Sequence, residues 1–233
     1  MTEITIIGTS EHHIRMGDYQ ALQRKVRVLL AKEPFCLRRI AKKDLDIFCE
    51  AFIHDSFSNE MDSDSRPKAV RSYERLEFLG DAILEFIVSE YLYKERHLEE
   101  GVMTKMRASY VCENALYEYS TRLGLNEYLK LGHGEEENGG RLRKAIVADI
   151  FEAFIGALYL DKGLDVAKSF IYENAIKLND KYRNKFIASV YLGYPNELEA
   201  NVENIRMVCS KLKNCSLISI AIYNNNKLRL IEE

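Results

Sequence analysis

The stretch from Ala145 to Leu160 holds sixteen residues and only two charges, Asp149 and Glu152. Every other position is apolar, alanine or glycine. A helix that is apolar nearly all round is a buried helix. A buried carboxylate costs on the order of several kcal/mol unless something positive meets it. Asp149 and Glu152 are spaced i,i+3, so they project from one face. The helix itself contains no Lys or Arg to neutralise them. This segment demands a core built around it and a cation, or ion pairs from other helices, beside its two acids.

A second stretch, Leu76 to Val88, breaks local rules in the same way. Glu77 and Asp81 are spaced i,i+4, and Glu74 and Glu85 fall within about 80° of the same stripe at roughly 100° per residue. Like charges at such spacing destabilise a helix by a few tenths of a kcal/mol per pair, at about 0.2–0.5. Gly80 adds up to about 1 kcal/mol in a helix interior. Local rules broken this way point to a site. Carboxylates from two helices suit a hard divalent cation, Mg²⁺ or Mn²⁺, with water and phosphate oxygens completing its shell. Two such ions about 4 Å apart would activate a water and stabilise a departing oxygen in phosphodiester cleavage. Salt bridges to Lys or Arg of other helices are the structural alternative.

The rest of the chain agrees with a helical body. Only three prolines occur in 233 residues, and the pattern predicts helices over 18–31, 44–57, 72–96, 104–124, 142–160 and 164–183. The four glycines of 132–140 mark a loop. After a turn at Pro195-Asn196 the texture changes. A helix over 197–213 and a hairpin of strands 216–223 and 227–231 are expected there. The predicted fold class is therefore all-α with a small α/β C-terminal segment, divided into domains 1–183 and 184–233.

Net charge is −3, so bulk electrostatics do not advertise a nucleic-acid binder. From Val166 onward Lys and Arg number 10 against 7 acids, whereas the preceding 165 residues carry 23 against 29. Five scattered cysteines without a CxxC pair argue against zinc and against a disulfide framework. No run reaches the roughly 18 apolar residues of a membrane span, and the N-terminus shows no secretory pattern. A cytoplasmic protein without a membrane partner is expected.

The segment Glu74-Arg75-Leu76-Glu77-Phe78-Leu79-Gly80-Asp81-Ala82-Ile83-Leu84 resembles the signature motif of the ribonuclease III family. Residues 146–163 resemble that family's second catalytic helix. Three weaker matches follow the family's order, at Ile53-His54-Asp55-Ser56 with Asn59-Glu60, at Glu100-Gly101 with Met106-Arg107-Ala108, and at 131–135 with Gly139-Gly140. The resemblance implies an all-α, homodimeric, Mg²⁺-dependent endonuclease domain, Mn²⁺ substituting. It would cut both strands of double-stranded RNA to 5′-phosphate products with short 3′ overhangs. It makes Glu77, Asp81, Asp149 and Glu152 the catalytic metal ligands. It places Glu74 near the substrate or dimer edge, and makes His54, Ser56 and Arg107 candidates for RNA backbone contact. Phe78 would insert into the partner subunit, and Glu100 would lend acid character to the dimer cleft.

The chain departs from the family pattern at three places. Tyr73 stands where the family usually has Asn, Asp55 where a basic residue is common, and nothing after Asn184 resembles the usual double-stranded-RNA-binding domain. Two competing readings remain at this level. One is a non-catalytic, RNA-binding or scaffolding member of the same fold. The other, from acid spacing alone, is an all-α nucleotide pyrophosphatase.

Overall fold

The computed structural model describes residues 16–37, 40–61, 70–96, 98–178, 220–224 and 227–231. Nine α-helices run through the first part of these. They are α1 (Met16–Ala31), α2 (Lys42–Glu50), α3 (Asp55–Glu60), α4 (Glu74–Arg96), α5 (Glu100–Val111), α6 (Glu113–Arg122), α7 (His133–Glu137), α8 (Lys144–Lys162) and α9 (Leu164–Ile171). Short 3₁₀ turns at Leu125–Tyr128 and Gly140–Leu142 lead into α7 and α8. The chain divides into two compact units, Met1–Ile171 and Tyr172–Glu233. The expected boundary at 183/184 and the expected helix over 197–213 lie outside the described residues.

The first unit is built around α8. Ile146–Ala148 and Ile150–Leu158 are all buried, as the near absence of charge required. Helices α2, α4, α6 and α9 all pack on it. Phe154 sits at the centre of a ring cluster, with Phe35, Phe48, Phe52 and Phe170 at centroid distances of 5.1–6.2 Å. Fully burying each such ring contributes about 1.5–3 kcal/mol. Gly163, at φ 82°, ends the helix where the sequence placed its stop.

The most intimate packing is between α4 and α8. A Cβ on Gly80 would stand 1.8 Å from the carbonyl oxygen of Glu152, and one on Gly156 would stand 2.4 Å from that of Leu76. The two backbones touch, and only glycine permits it. Gly80 therefore has a packing reason, which offsets its poor helix propensity.

Two predicted helices are interrupted. The one expected over 44–57 breaks at 51–54, where Ile53 forms a parallel bridge with Lys130. The backbone groups there bond across the chain instead. The Lys130 amide donates to Phe52 O at 2.7 Å, His54 N to Lys130 O at 3.0 Å and Tyr73 N to Ile53 O at 2.8 Å. The one expected over 104–124 begins earlier, at Glu100, and breaks at Cys112, which is extended (φ −73°, ψ 154°). Gly124 then ends α6 in the left-handed region at φ 67°. The expected loop 132–140 contains the single turn of α7.

In the second unit, a π-helical turn spans Tyr172–Ile176. Strands β1 (Ile220–Asn224) and β2 (Lys227–Ile231) pair antiparallel, with Ile220 opposite Ile231 and Asn224 opposite Lys227. No helix among the described residues is long and apolar enough to cross a membrane.

Candidate metal centre

The glycine crossing brings two acidic helix faces together. Glu77 projects from α4 one turn before Gly80, and Asp149 and Glu152 project from α8 before Gly156. Each of these three acids offers a carboxylate oxygen, and the three oxygens lie within 4.8 Å of one another. Glu152 is only 9% exposed, while Glu77 and Asp149 are half-buried. None of the three forms an ion pair with Lys or Arg among the described residues. Among the described residues the salt-bridge alternative therefore finds no partner.

Crowded acids without a counter-charge resist ionisation. Burial, then the charges of Asp81, Glu77 and Asp149, pushes the Glu152 carboxyl up to about 8. Burial, then Asp149, Glu74 and Asp81, pushes Glu77 up to about 7. Asp149 is raised by burial too, against the opposing pull of the Tyr73 hydroxyl and His54. A bound cation reverses this logic by favouring the ionised forms. The donors are hard carboxylate oxygens with no thiol among them, which fits Mg²⁺ or Mn²⁺ rather than a soft metal.

Asp81 stands apart from the other three. It is exposed on α4, and its oxygens do not join the close cluster, although its charge reaches both Glu77 and Glu152.

The family model described as Ribonuclease-III-like matches residues 44–178, more than half of the chain. The chain belongs to the ribonuclease III family. It is 50% identical over 130 residues to Ribonuclease 3 of Listeria monocytogenes serotype 4a (strain HCC23), covering 55% of each chain. It is 50% identical over 129 residues to Ribonuclease 3 of Staphylococcus aureus (strain bovine RF122 / ET3-1), covering 55% of this chain and 51% of that one. The chain thus spans about half the length of these curated relatives. It is also 33% identical to the solved nuclease domain of ribonuclease III from Campylobacter jejuni, over 58% of this chain and 90% of that one, at a TM-score of 0.49.

Two of the weaker ribonuclease III motifs are bonded to each other. His54 is the N-cap of α3, its Nδ1 accepting from Ser56 N at 3.2 Å and lying 2.8 Å from Ser56 Oγ and 2.9 Å from Asp55 Oδ1. Ser56 Oγ accepts from Gly132 N at 2.9 Å. Glu60 accepts from the amides of His133 at 2.6 Å and Gly134 at 3.4 Å. A Cβ on Gly132 would collide with Glu60 Oε1 at 2.3 Å. The motif at 53–60 is thereby clamped to the one at 131–135.

The remaining expected residues lie further out. Glu74 is exposed at the start of α4, accepting from Ser72 Oγ at 3.2 Å. Arg107, half-buried on α5, donates to Ser89 Oγ at 3.2 Å. Glu100 is exposed in the first turn of α5 and accepts from Thr104 Oγ1 at 2.9 Å. Phe78 is 82% exposed, so it is not a core residue.

One residue of the site went unassigned in the sequence. Tyr73 donates its hydroxyl to Asp149 Oδ2 at 3.2 Å. Its departure from the family's usual Asn was the visible signal, but only the fold reveals what it touches.

Proposed function

We propose that this chain is a divalent-metal-dependent endoribonuclease that cuts both strands of double-stranded RNA. It leaves 5′-phosphate ends with short 3′ overhangs and serves RNA processing or duplex degradation. The observation that carries the reading is the convergence of Glu77, Asp149 and Glu152 within 4.8 Å with no Lys or Arg ion pair to them among the described residues. The curated relatives, each named Ribonuclease 3, support it.

In this reading Glu77, Asp149 and Glu152 hold Mg²⁺, with Mn²⁺ able to substitute, and Asp81 joins them as the fourth acid. The bound metal supplies an activated water and neutralises charge on the departing oxygen. The protein's own part is to hold the carboxylates converged in a partly dry cleft, where each acts as an oriented ligand. Glu74 and Arg107 border the RNA. His54 and Ser56 shape the rim through the α3 cap.

The same reading makes the protein a homodimer. Phe78, Phe86 and Tyr93 are 82%, 53% and 74% exposed on α4. At roughly 100° per residue they fall within about 80° of one another, beside the acid stripe. Apolar rings exposed along one face mark an interaction surface. A C2 pair would give two acid centres for two strands, with Phe78 as anchor and Glu100 at the cleft.

The test is a long RNA duplex incubated with the chain, with and without Mg²⁺, followed by analysis of product ends. Metal-dependent cleavage to 5′-phosphate ends with staggered 3′ overhangs is expected. Duplex binding without cleavage would instead identify a non-catalytic member of the fold. Hydrolysis of free nucleotides alone would identify a pyrophosphatase.

A further inference from the structure

Tyr73 joins three parts of the molecule. Its backbone amide donates to Ile53 O at 2.8 Å, in the bridged segment that interrupts α2 and α3. Its carbonyl accepts from the amides of Leu76 at 2.8 Å and Glu77 at 2.9 Å, which makes it the residue that starts α4. Its hydroxyl reaches across to α8, to Asp149 Oδ2 at 3.2 Å. The side chain is only 4% exposed. His54 lies edge-on against its ring, with centroids 5.8 Å apart at 61°, and His54 is itself fixed by the α3 cap.

We propose that Tyr73 is a positioning residue of the metal centre, holding the Asp149 carboxylate turned toward Glu77 and Glu152. The inference rests on the metal reading above and goes beyond it, because it assigns the orientation of one ligand to a residue that carries no charge. An ionised carboxylate offers about four lone-pair sites on two oxygens. The phenol occupies one site on Oδ2 and stops the group from rotating, while the rest stay available. The same residue sets the first turn of α4, from which Glu77 projects. One side chain and its own backbone therefore register ligands on both helices. Partners of this outer kind typically change metal affinity or activity by about 10–100-fold when removed.

A plainer role is that the phenol only satisfies its own hydrogen bond in a buried place. The two roles differ in what Tyr73→Phe does. The ring and its packing on His54 survive that substitution, and only the hold on Asp149 is lost. A plain role would lower stability and leave metal binding untouched.

The experiment titrates Mn²⁺ calorimetrically into the full chain as wild type, Tyr73→Phe and Glu152→Gln. Alongside it, the Mn²⁺-induced rise in melting temperature is measured against each variant's own metal-free melt, which cancels any loss of fold stability. Tyr73→Phe is expected to bind Mn²⁺ about 10-fold more weakly and to show a smaller Mn²⁺-induced rise. On duplex RNA at limiting Mn²⁺, kcat should fall while KM for RNA holds, and saturating Mn²⁺ should restore most of the rate. Wild-type Mn²⁺ affinity in Tyr73→Phe, beside a wild type that binds and a Glu152→Gln that does not, overturns the positioning role alone. A wild type that binds no Mn²⁺ overturns the metal reading and this role with it.

Discussion

Gly80 meets the backbone of Glu152 so closely that a Cβ at position 80 would stand 1.8 Å from the Glu152 carbonyl oxygen. The contact sets the separation of α4 and α8, and through it the distance between Glu77 and the two acids of α8. Gly80→Ala should therefore be destabilising, against its gain of up to about 1 kcal/mol in helix propensity. Forcing the helices apart costs about 1–3 kcal/mol or more. Gly156→Ala, whose Cβ would stand 2.4 Å from Leu76 O, should behave alike. Urea unfolding checks both. A variant as stable as wild type would show that the crossing yields easily.

Glu152→Gln separates stability from activity. The carboxylate sits 9% exposed among like charges, and its pKa is pushed up to about 8. The amide keeps the shape and removes the charge. Without metal the variant should be more stable than wild type at pH 8, where ionising the buried carboxyl among like charges costs the folded state. With Mg²⁺ it should lose cleavage while retaining duplex binding. Near-wild-type cutting would remove Glu152 from the metal site.

The same raised carboxyls set a pH dependence of stability. Glu77 is held at about 7 and Glu152 at about 8, against an ordinary 4.5. Below pH 4.5 both are protonated in the folded and unfolded chain, and their contribution is fully present. Between 4.5 and about 8 the folded state keeps protons that the unfolded chain has released, so stability falls as pH rises. Glu136, lowered by its hydrogen bonds from Arg141, loses its contribution only below the ordinary range and does not oppose this trend. The metal-free melting temperature should drop between pH 5 and pH 8. Mg²⁺ should raise it more at pH 8, where fewer protons compete with it for the carboxylates. A flat metal-free profile over that window would contradict the crowding of the acids.

The parts legible in the sequence are those where burial and charge conflict. The near-chargeless run around Asp149 and Glu152 dictated a central helix, and α8 is that helix. Its two acids required a cationic counterpart, and the structure places Glu77 beside them with no Lys or Arg ion pair among the described residues. Less legible were the places where backbone groups bond over long sequence distances. Nothing local to Ile53 announces its bridge to Lys130, so 44–57 read as one helix. Cys112 carries no proline or glycine to mark the break between α5 and α6. Gly80 was visible as an anomaly, but its reason lies 72 residues away at the carbonyl of Glu152. The Tyr73 hydroxyl likewise finds Asp149 only after α4 and α8 cross.

Phe78 offers the test of the homodimer. It lies on α4 directly after Glu77, yet its ring is 82% exposed while Glu77 turns inward. A phenylalanine so exposed contributes nothing to the core of its own chain, so Phe78→Ala should leave the unfolding free energy of an isolated subunit within about 0.5 kcal/mol. At an interface an aromatic anchor of this kind is worth about 2 kcal/mol or more. That corresponds to a dimer constant weakened by about 30-fold or more, at 1.4 kcal/mol per tenfold. Phe78→Glu, which would bury a charge in the contact, should give a monomer at micromolar concentration by sedimentation velocity. The monomer should retain the Mn²⁺ site, because Glu77, Asp149 and Glu152 all come from one chain. Cutting of both strands should suffer more than nicking of one. A Phe78→Glu chain that sediments and cuts as wild type does would place any subunit contact elsewhere on the surface.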